Sequence, residues 1–290
     1  MTVSRLLVTG ANGQLGQAIV RRFHDAQVFA YTRATLDISD AAAVMRTVAE
    51  CAPDAIINCA AYNDVDAAED APEQALAVNA FAVRTLARAA DACRAVLVHY
   101  GTDFVFDGVQ RTEPYRESDP ASPRSAYAAS KLLGEWFGVE AEHGYVLRVE
   151  SLFGMPVDWQ GRRGTLDKMV DSMIAGREVA VFTDRVVTPS YIEDIAAATR
   201  HLLERDAAFG LYHCVNSGHG TWHEVAAEAA RVLGVTPRFR LLSVDDVQLK
   251  AARPRYCALD NTKLRSAGFA MPPWQDALAR WLSARGRPAA

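Results

Sequence analysis

Tyr127 and Lys131 stand four residues apart in Ser125-Ala126-Tyr127-Ala128-Ala129-Ser130-Lys131, directly ahead of the run Leu132-Leu133-Gly134-Glu135-Trp136-Phe137. On a helix, positions i and i+4 share a face, so the phenol and the ammonium point into one site. A neighbouring ammonium favours the phenolate and lowers a Tyr pKa towards neutral. Tyr127 is therefore a candidate proton donor to a carbonyl being reduced. A surface helix carries the same spacing with no chemistry at all, so the pair takes its meaning from what surrounds it.

The elements around it alternate strand and helix. Leu6-Leu7-Val8-Thr9 is a short apolar strand, followed by Gly10-Ala11-Asn12-Gly13-Gln14-Leu15-Gly16 and an amphipathic stretch to about Phe23. Strand, glycine turn and helix form a dinucleotide-binding unit. The glycines permit a tight turn and close backbone approach, and the helix N-terminus faces a pyrophosphate. The spacing is Gly-x-x-Gly-x-x-Gly, not the commoner Gly-x-Gly-x-x-Gly. Val28–Tyr31 is a second strand, ending at Thr32-Arg33 without the acid that holds ribose hydroxyls in NAD-specific sites. Arg33 is either a solvated loop residue or a partner for a 2′-phosphate, so the expected cofactor is NADPH or NADH. Leu36-Asp37-Ile38-Ser39-Asp40 then leads into a helix with Ser39 or Asp40 as its N-cap.

The third strand, Asp54–Asn58, runs into Cys59-Ala60-Ala61-Tyr62-Asn63, whose small residues let a cofactor lie close to the backbone. A helix over 71–93 contains Asn79, which on its own reads as a local hydrogen-bonding residue. The fourth strand, Ala95–Tyr100, ends at Gly101-Thr102-Asp103-Phe104-Val105-Phe106-Asp107-Gly108. There the Thr102 hydroxyl can hydrogen-bond a substrate carbonyl or cap the strand end. Tyr145–Val149 is a fifth strand. This alternation predicts an α/β fold, a doubly wound parallel sheet with a smaller C-terminal α/β substrate domain. The cofactor domain is expected over 1–150 and about 185–215, the substrate domain over about 151–184 and 216–290. Asp158–Gly164 reads as a mobile polar loop, and a terminal helix is expected over 275–284.

Composition narrows the function classes. Half of the 290 residues are hydrophobic and 23% charged, ordinary for a soluble globular chain. The 31 basic and 35 acidic residues leave a net charge of −4, with no electrostatic footprint for nucleic acid or an anionic membrane. No apolar run reaches membrane length and no signal segment opens the chain, so a cytoplasmic protein is expected. Five scattered cysteines (Cys51, Cys59, Cys93, Cys214, Cys257) have the spacing of neither a disulfide frame nor a metal site. Arg285–Ala290 reads as a frayed tail.

Together these stretches resemble the extended short-chain dehydrogenase/reductases, and within them the nucleotide-sugar 4-ketoreductase family of the dTDP-4-dehydrorhamnose reductases. The matching segments include Thr9–Gly16, Leu36-Asp37-Ile38, Asn58–Tyr62 with Val65-Asp66 and Glu69, and Val78-Asn79. Thr102–Gly108, Tyr127-x-x-x-Lys131-x-x-Gly134-Glu135, Thr188-Pro189 with Asp194, and Arg253-Pro254 complete the set. The resemblance implies that Gly13, Gln14 and Leu15 line the pyrophosphate within a cofactor turn that includes Gly10, Asn12 and Gly16. It implies that Asp37 and Ile38 hold the adenine, and that Ala60, Ala61, Tyr62, Asn63 and Asn79 belong to the cofactor side. Tyr100 would lie near the nicotinamide. Thr102, Asp103, Val105, Ser151 and Arg253 would face the substrate, with Tyr127, Lys131 and Thr102 as the catalytic set.

Two positions depart from the family pattern. Gly101 stands where the family has Ser before the Thr, and Arg148-Val149-Glu150-Ser151 replaces Arg-Thr-Ser-Trp, so the Trp expected to cover the substrate is Ser151. The implied reaction is NAD(P)H-dependent reduction of a 4-keto group on a nucleotide-activated deoxysugar, as in dTDP-L-rhamnose synthesis. An epimerase or 4,6-dehydratase of the same fold would also use Tyr127 and Lys131, but the dehydratase pattern places Glu where this chain has Phe104. A third reading is a non-catalytic NADP-binding regulatory subunit, resembling the methionine adenosyltransferase β subunit. The expected partner is a nucleotide sugar, and the resemblance leaves a homodimer open.

Overall fold

The computed structural model describes residues 3–109, 111–155, 159–161, 163–205 and 207–285. The chain runs β1 (Arg5–Thr9), α1 (Gln14–Arg22), β2 (Gln27–Tyr31), α2 (Ala41–Cys51) and β3 (Ala55–Asn58). Then come α3 (Ala67–Asp70), α4 (Pro72–Leu76), a π-helical turn (Ala77–Phe81), α5 (Ala82–Cys93), β4 (Val96–Thr102), α6 (Ala126–Val139) and β5 (Gly144–Val149). The remainder is β6 (Leu152–Phe153), α7 (Thr165–Ile174), β7 (Glu178–Phe182), β8 (Val186–Val187), β9 (Ser190–Tyr191), α8 (Ile192–Arg205) and β10 (Gly210–His213). It ends with β11 (Gly220–Thr221), α9 (Trp222–Leu233), β12 (Arg238–Leu242), α10 (Thr262–Ser266) and α11 (Trp274–Arg285).

Six strands pair in the order β10-β5-β4-β3-β1-β2, every ladder parallel. Strands buried on both faces need apolar side chains in both directions, and the sequence supplies them. Leu6, Val8, Ile57 and Val98 point into one core with α1 and α8, while Leu7, Ile56 and Leu97 point into the other with α2 and α5. That period of two makes the sheet doubly wound. The first core continues without a break to Trp222, Trp274 and Trp281 of the C-terminal elements. There three two-stranded ribbons, β11-β8, β12-β7 and β6-β9, carry α7, α9 and α11. Asp40 is the N-cap of α2, accepting the Ala43 N–H at 3.0 Å.

Two expectations are corrected. The helix expected over 71–93 is interrupted. The Asn79 side-chain oxygen accepts the Tyr62 N–H at 2.8 Å, and its amide donates to the Tyr62 carbonyl at 3.1 Å and to Ser130 Oγ at 3.0 Å. Serving the loop and α6 at once coincides with the wide π turn, a feature frequent at functional sites. The tail expected from Arg285 does not begin there, because Arg285 is a buried residue of α11 and pairs with Asp171. Residues 286–290 lie outside the described residues, as do Asp158 and Arg162 of the expected polar loop.

Candidate active site

A cavity of about 660 Å³ opens at the carboxyl ends of β1, β3, β4 and β5. This is where ligands lie in open α/β sheets. Its floor is the glycine turn. A Cβ on Gly16 would stand 2.3 Å from the Gly10 carbonyl oxygen, and one on Gly10 would stand 2.6 Å from the Ala60 nitrogen, so both positions require glycine. The first turn of α1 carries no acidic residue and no capping side chain, which leaves its N–H groups and positive dipole end available to an anion. Gln14, on the same wall, holds a buried side-chain amide nitrogen with no partner among the described residues. These features fit a dinucleotide pyrophosphate.

The reacting groups come from α6 and the end of β4. Ser125 caps α6, accepting the Ala128 N–H at 3.2 Å, and sets Tyr127 and Lys131 on the cavity face. The Tyr127 ring meets Phe104 edge-on at 5.9 Å. Lys131 Nζ donates to the Tyr100 carbonyl at 2.6 Å. Burial lowers its pKa from 10.5 to about 8, with the Glu135 charge pulling the other way. Thr102 ends β4, and its hydroxyl donates to Asp103 Oδ1 at 3.0 Å. Its N–H donates to Glu135 Oε1 at 3.3 Å, while Glu135 Oε2 accepts two bonds from Arg148 at 2.8 and 3.0 Å. Gly101 packs closely against this ion pair. A Cβ at that position would stand 2.2 Å from Glu135 Oε1.

Of the residues singled out above, Asn12, Gly13, Gln14, Leu15, Ala60, Ala61, Asn63 and Tyr100 line the cavity from the cofactor side. Thr102, Asp103, Tyr127, Lys131, Ser151 and Arg253 line it as well. Ser151 does so with φ +46°, a left-handed backbone that is uncommon outside glycine. Gly10 and Gly16 shape the turn from behind. Asn79, buried and bonded to Tyr62, supports the loop without reaching the cavity, and Tyr62 is held in that loop. Val105 belongs to a separate apolar cluster with Phe106 and Tyr115, and Ile38 is buried beside α2. Asp37 spends one carboxylate oxygen on the Ser39 N–H and hydroxyl, which hold its pKa low. Arg33 is exposed at the end of β2, 3.9 Å from Asp37.

Sequence reasoning passed over much of the far wall. Arg163, Lys168 and Arg185 join Arg253 there, with the indoles of Trp159 and Trp222. These residues lie in loops and helix starts of the C-terminal elements, where a lone cation reads as solvated surface. It also passed over Glu150 and Cys257. Their side chains meet Asp103, with carboxyl oxygens and sulfur within 4.8 Å of one another and all three residues buried.

The family described as RmlD substrate binding domain matches residues 4–286. The chain belongs to that family. It is 37% identical to dTDP-4-dehydrorhamnose reductase of Streptomyces griseus, over 98% of this chain and 96% of that protein. It is 35% identical to a probable dTDP-4,6-dihydroxy-2-methyloxan-3-one 4-ketoreductase of Streptomyces antibioticus, over 94% and 93%. Among solved structures, dTDP-4-dehydrorhamnose reductase of Bacillus anthracis in complex with NADP superposes with a TM-score of 0.90. It is 31% identical, over 97% of this chain and 99% of that one. No described helix of this RmlD-family chain is long and apolar enough to cross a membrane.

Proposed function

We propose that the protein reduces the 4-keto group of a dTDP-linked 6-deoxysugar, with NADPH or NADH as the hydride source. The observation that carries this reading is the convergence of Tyr127, Lys131 and Thr102 on the cavity that the glycine turn opens into. When bound, the nicotinamide supplies the hydride. The chain's own groups manage the oxygen. Tyr127 gives it a proton, Thr102 polarises it, and the Lys131 ammonium steadies the phenolate left behind. Positioned acid–base help of this kind contributes on the order of 10²–10⁴-fold. Arg163, Lys168, Arg185 and Arg253 suit the diphosphate of a nucleotide sugar, and Trp159 offers an aromatic surface on a wall where Ser151 leaves room. Phe104 at the position of a dehydratase glutamate favours reduction over water elimination.

The test is NADPH and NADH oxidation with dTDP-4-dehydro-6-deoxy-L-mannose as acceptor, read as loss of the reduced nicotinamide absorbance. Stoichiometric loss supports the reading; conversion with the cofactor recycled, or no turnover with NADPH tightly bound, sinks it. Tyr127→Phe should abolish turnover while calorimetry finds NADPH affinity unchanged. A variant that keeps substantial activity removes Tyr127 from its role.

A further inference from the structure

We propose that Glu150 and Asp103 form a carboxyl pair that keeps one proton between them, and that through this pair Glu150 is a positioning residue for the Thr102 hydroxyl. The second half rests on the reductase reading, because it needs Thr102 to face a carbonyl. The geometry is a buried cluster at the edge of the cavity, which Asp103 also lines. Asp103 follows β4, Glu150 follows β5, and their oxygens lie within 4.8 Å of each other and of Cys257 Sγ, with exposures of 5%, 2% and 0%. Ionising two carboxylates this close and this deeply buried is strongly disfavoured. Glu150 Oε2 accepts the Thr188 N–H at 2.9 Å, but Oε1 has no partner among the described residues. A buried carboxylate oxygen without a donor is costly, whereas an acid O–H shared with Asp103 satisfies it.

The groups facing the pair fit one proton. Arg185 supplies a positive charge nearby, the Cys257 thiol stands beside Asp103 while donating to the Pro254 carbonyl at 3.6 Å, and the Tyr256 phenol lies near Glu150. Glu135 and Arg148 neutralise each other on the far side of Thr102. Burial, reinforced by the Asp103 charge, holds the Glu150 carboxyl well above its ordinary range, and burial pushes Asp103 up to about 6. The serine that the family pattern puts at 150 has a hydroxyl to donate but no acid proton to divide with Asp103. With the charge divided, Asp103 grips the Thr102 hydroxyl less firmly than a full carboxylate does, and that hydroxyl turns more readily to a substrate oxygen.

The pair is tested first without turnover, by infrared titration of the full chain. The wild type should show a protonated-carboxyl stretch at neutral pH that Glu150→Gln removes. In Asp103→Asn the same band should titrate away about one pH unit lower, because the like charge is gone. A band that survives Glu150→Gln, or one with the same midpoint in Asp103→Asn, overturns the pair. In the reduction assay, Glu150→Gln should lower kcat about tenfold, less than the ~100-fold that follows outright loss of an oxyanion donor. KM should stay within about threefold, and the fall in kcat that the wild type shows as the pair loses its proton should vanish. Glu150→Ser should behave alike, and NADPH affinity checks the fold of both variants. An unchanged pH profile overturns the positioning role. An inactive wild type with the stated infrared behaviour refutes the reductase reading and upholds the pair, so the two failures are distinguishable.

Discussion

Glu135→Ala would strand a buried cation. Arg148 is 4% exposed, and among the described residues Glu135 is the only carboxylate paired with it, through two bonds at 2.8 and 3.0 Å. Its other neighbours cannot take over the charge. The Phe106 face lies 4.9 Å away, and His213 Nε2 at 3.4 Å belongs to an imidazole that burial, then the Arg148 charge, pushes down to about 3. Removing one partner of such a buried pair costs about 3–5 kcal/mol. That is a large share of the roughly 5–15 kcal/mol that holds a domain folded, and corresponds to about a 10 °C fall in Tm. Calorimetry and urea unfolding of the purified variant give the number. The double variant Glu135→Leu/Arg148→Leu should recover most of the loss, because neither charge is left buried. It should still reduce slowly, since the Thr102 N–H has lost its acceptor. A single-variant cost below about 1 kcal/mol would refute the stranded-charge argument. A double variant no more stable than the single one would assign the cost to packing instead.

Lys131 makes stability depend on pH. Its folded-state pKa of about 8 lies below its ordinary 10.5, so between those values the unfolded chain binds more protons. Wild-type stability relative to Lys131→Met should therefore rise from pH 8 to about 10.5 by up to about 3 kcal/mol, and guanidinium unfolding at a series of pH values would expose a flat difference. Asn79→Ala breaks three bonds to Tyr62 and Ser130 and should cost about 1–3 kcal/mol, with weaker NADPH binding; an unchanged Tm contradicts it. Arg33→Ala should weaken NADPH about tenfold and leave NADH unaffected, as a charged contact to a 2′-phosphate requires; equal effects on both by calorimetry would return Arg33 to solvent.

What could be read from the chain alone depended on how local the cause was. β1, β3 and β4 follow from runs such as Leu6-Leu7-Val8 and Ile56-Ile57, whose burial on both faces leaves no other place for them. The Tyr127/Lys131 face follows from helical spacing and a serine cap. The π turn at Asn79 was not legible, because its partners Tyr62 and Ser130 sit 17 and 51 residues away. Glu150 beside Asp103 escaped for the same reason: adjacent parallel strands bring together residues that the sequence separates by a whole helix. The cationic wall is a third case. Arg163, Lys168, Arg185 and Arg253 share no period, and only the folded C-terminal elements aim them at one space.

The shared core of the sheet and the C-terminal helices has a consequence for how the protein is made. By the time β5 leaves the ribosome, five of the six sheet strands exist. The sheet face bearing Leu6, Val8 and Leu147, however, still waits for α8 and for Trp274 and Trp281 of α11. Trp281 donates its indole N–H to the Met155 carbonyl at 3.0 Å, so the last described helix fastens the segment just past β6. Until it arrives, the nascent chain carries an incompletely covered apolar sheet face, the kind of surface that holding chaperones protect and from which aggregation starts.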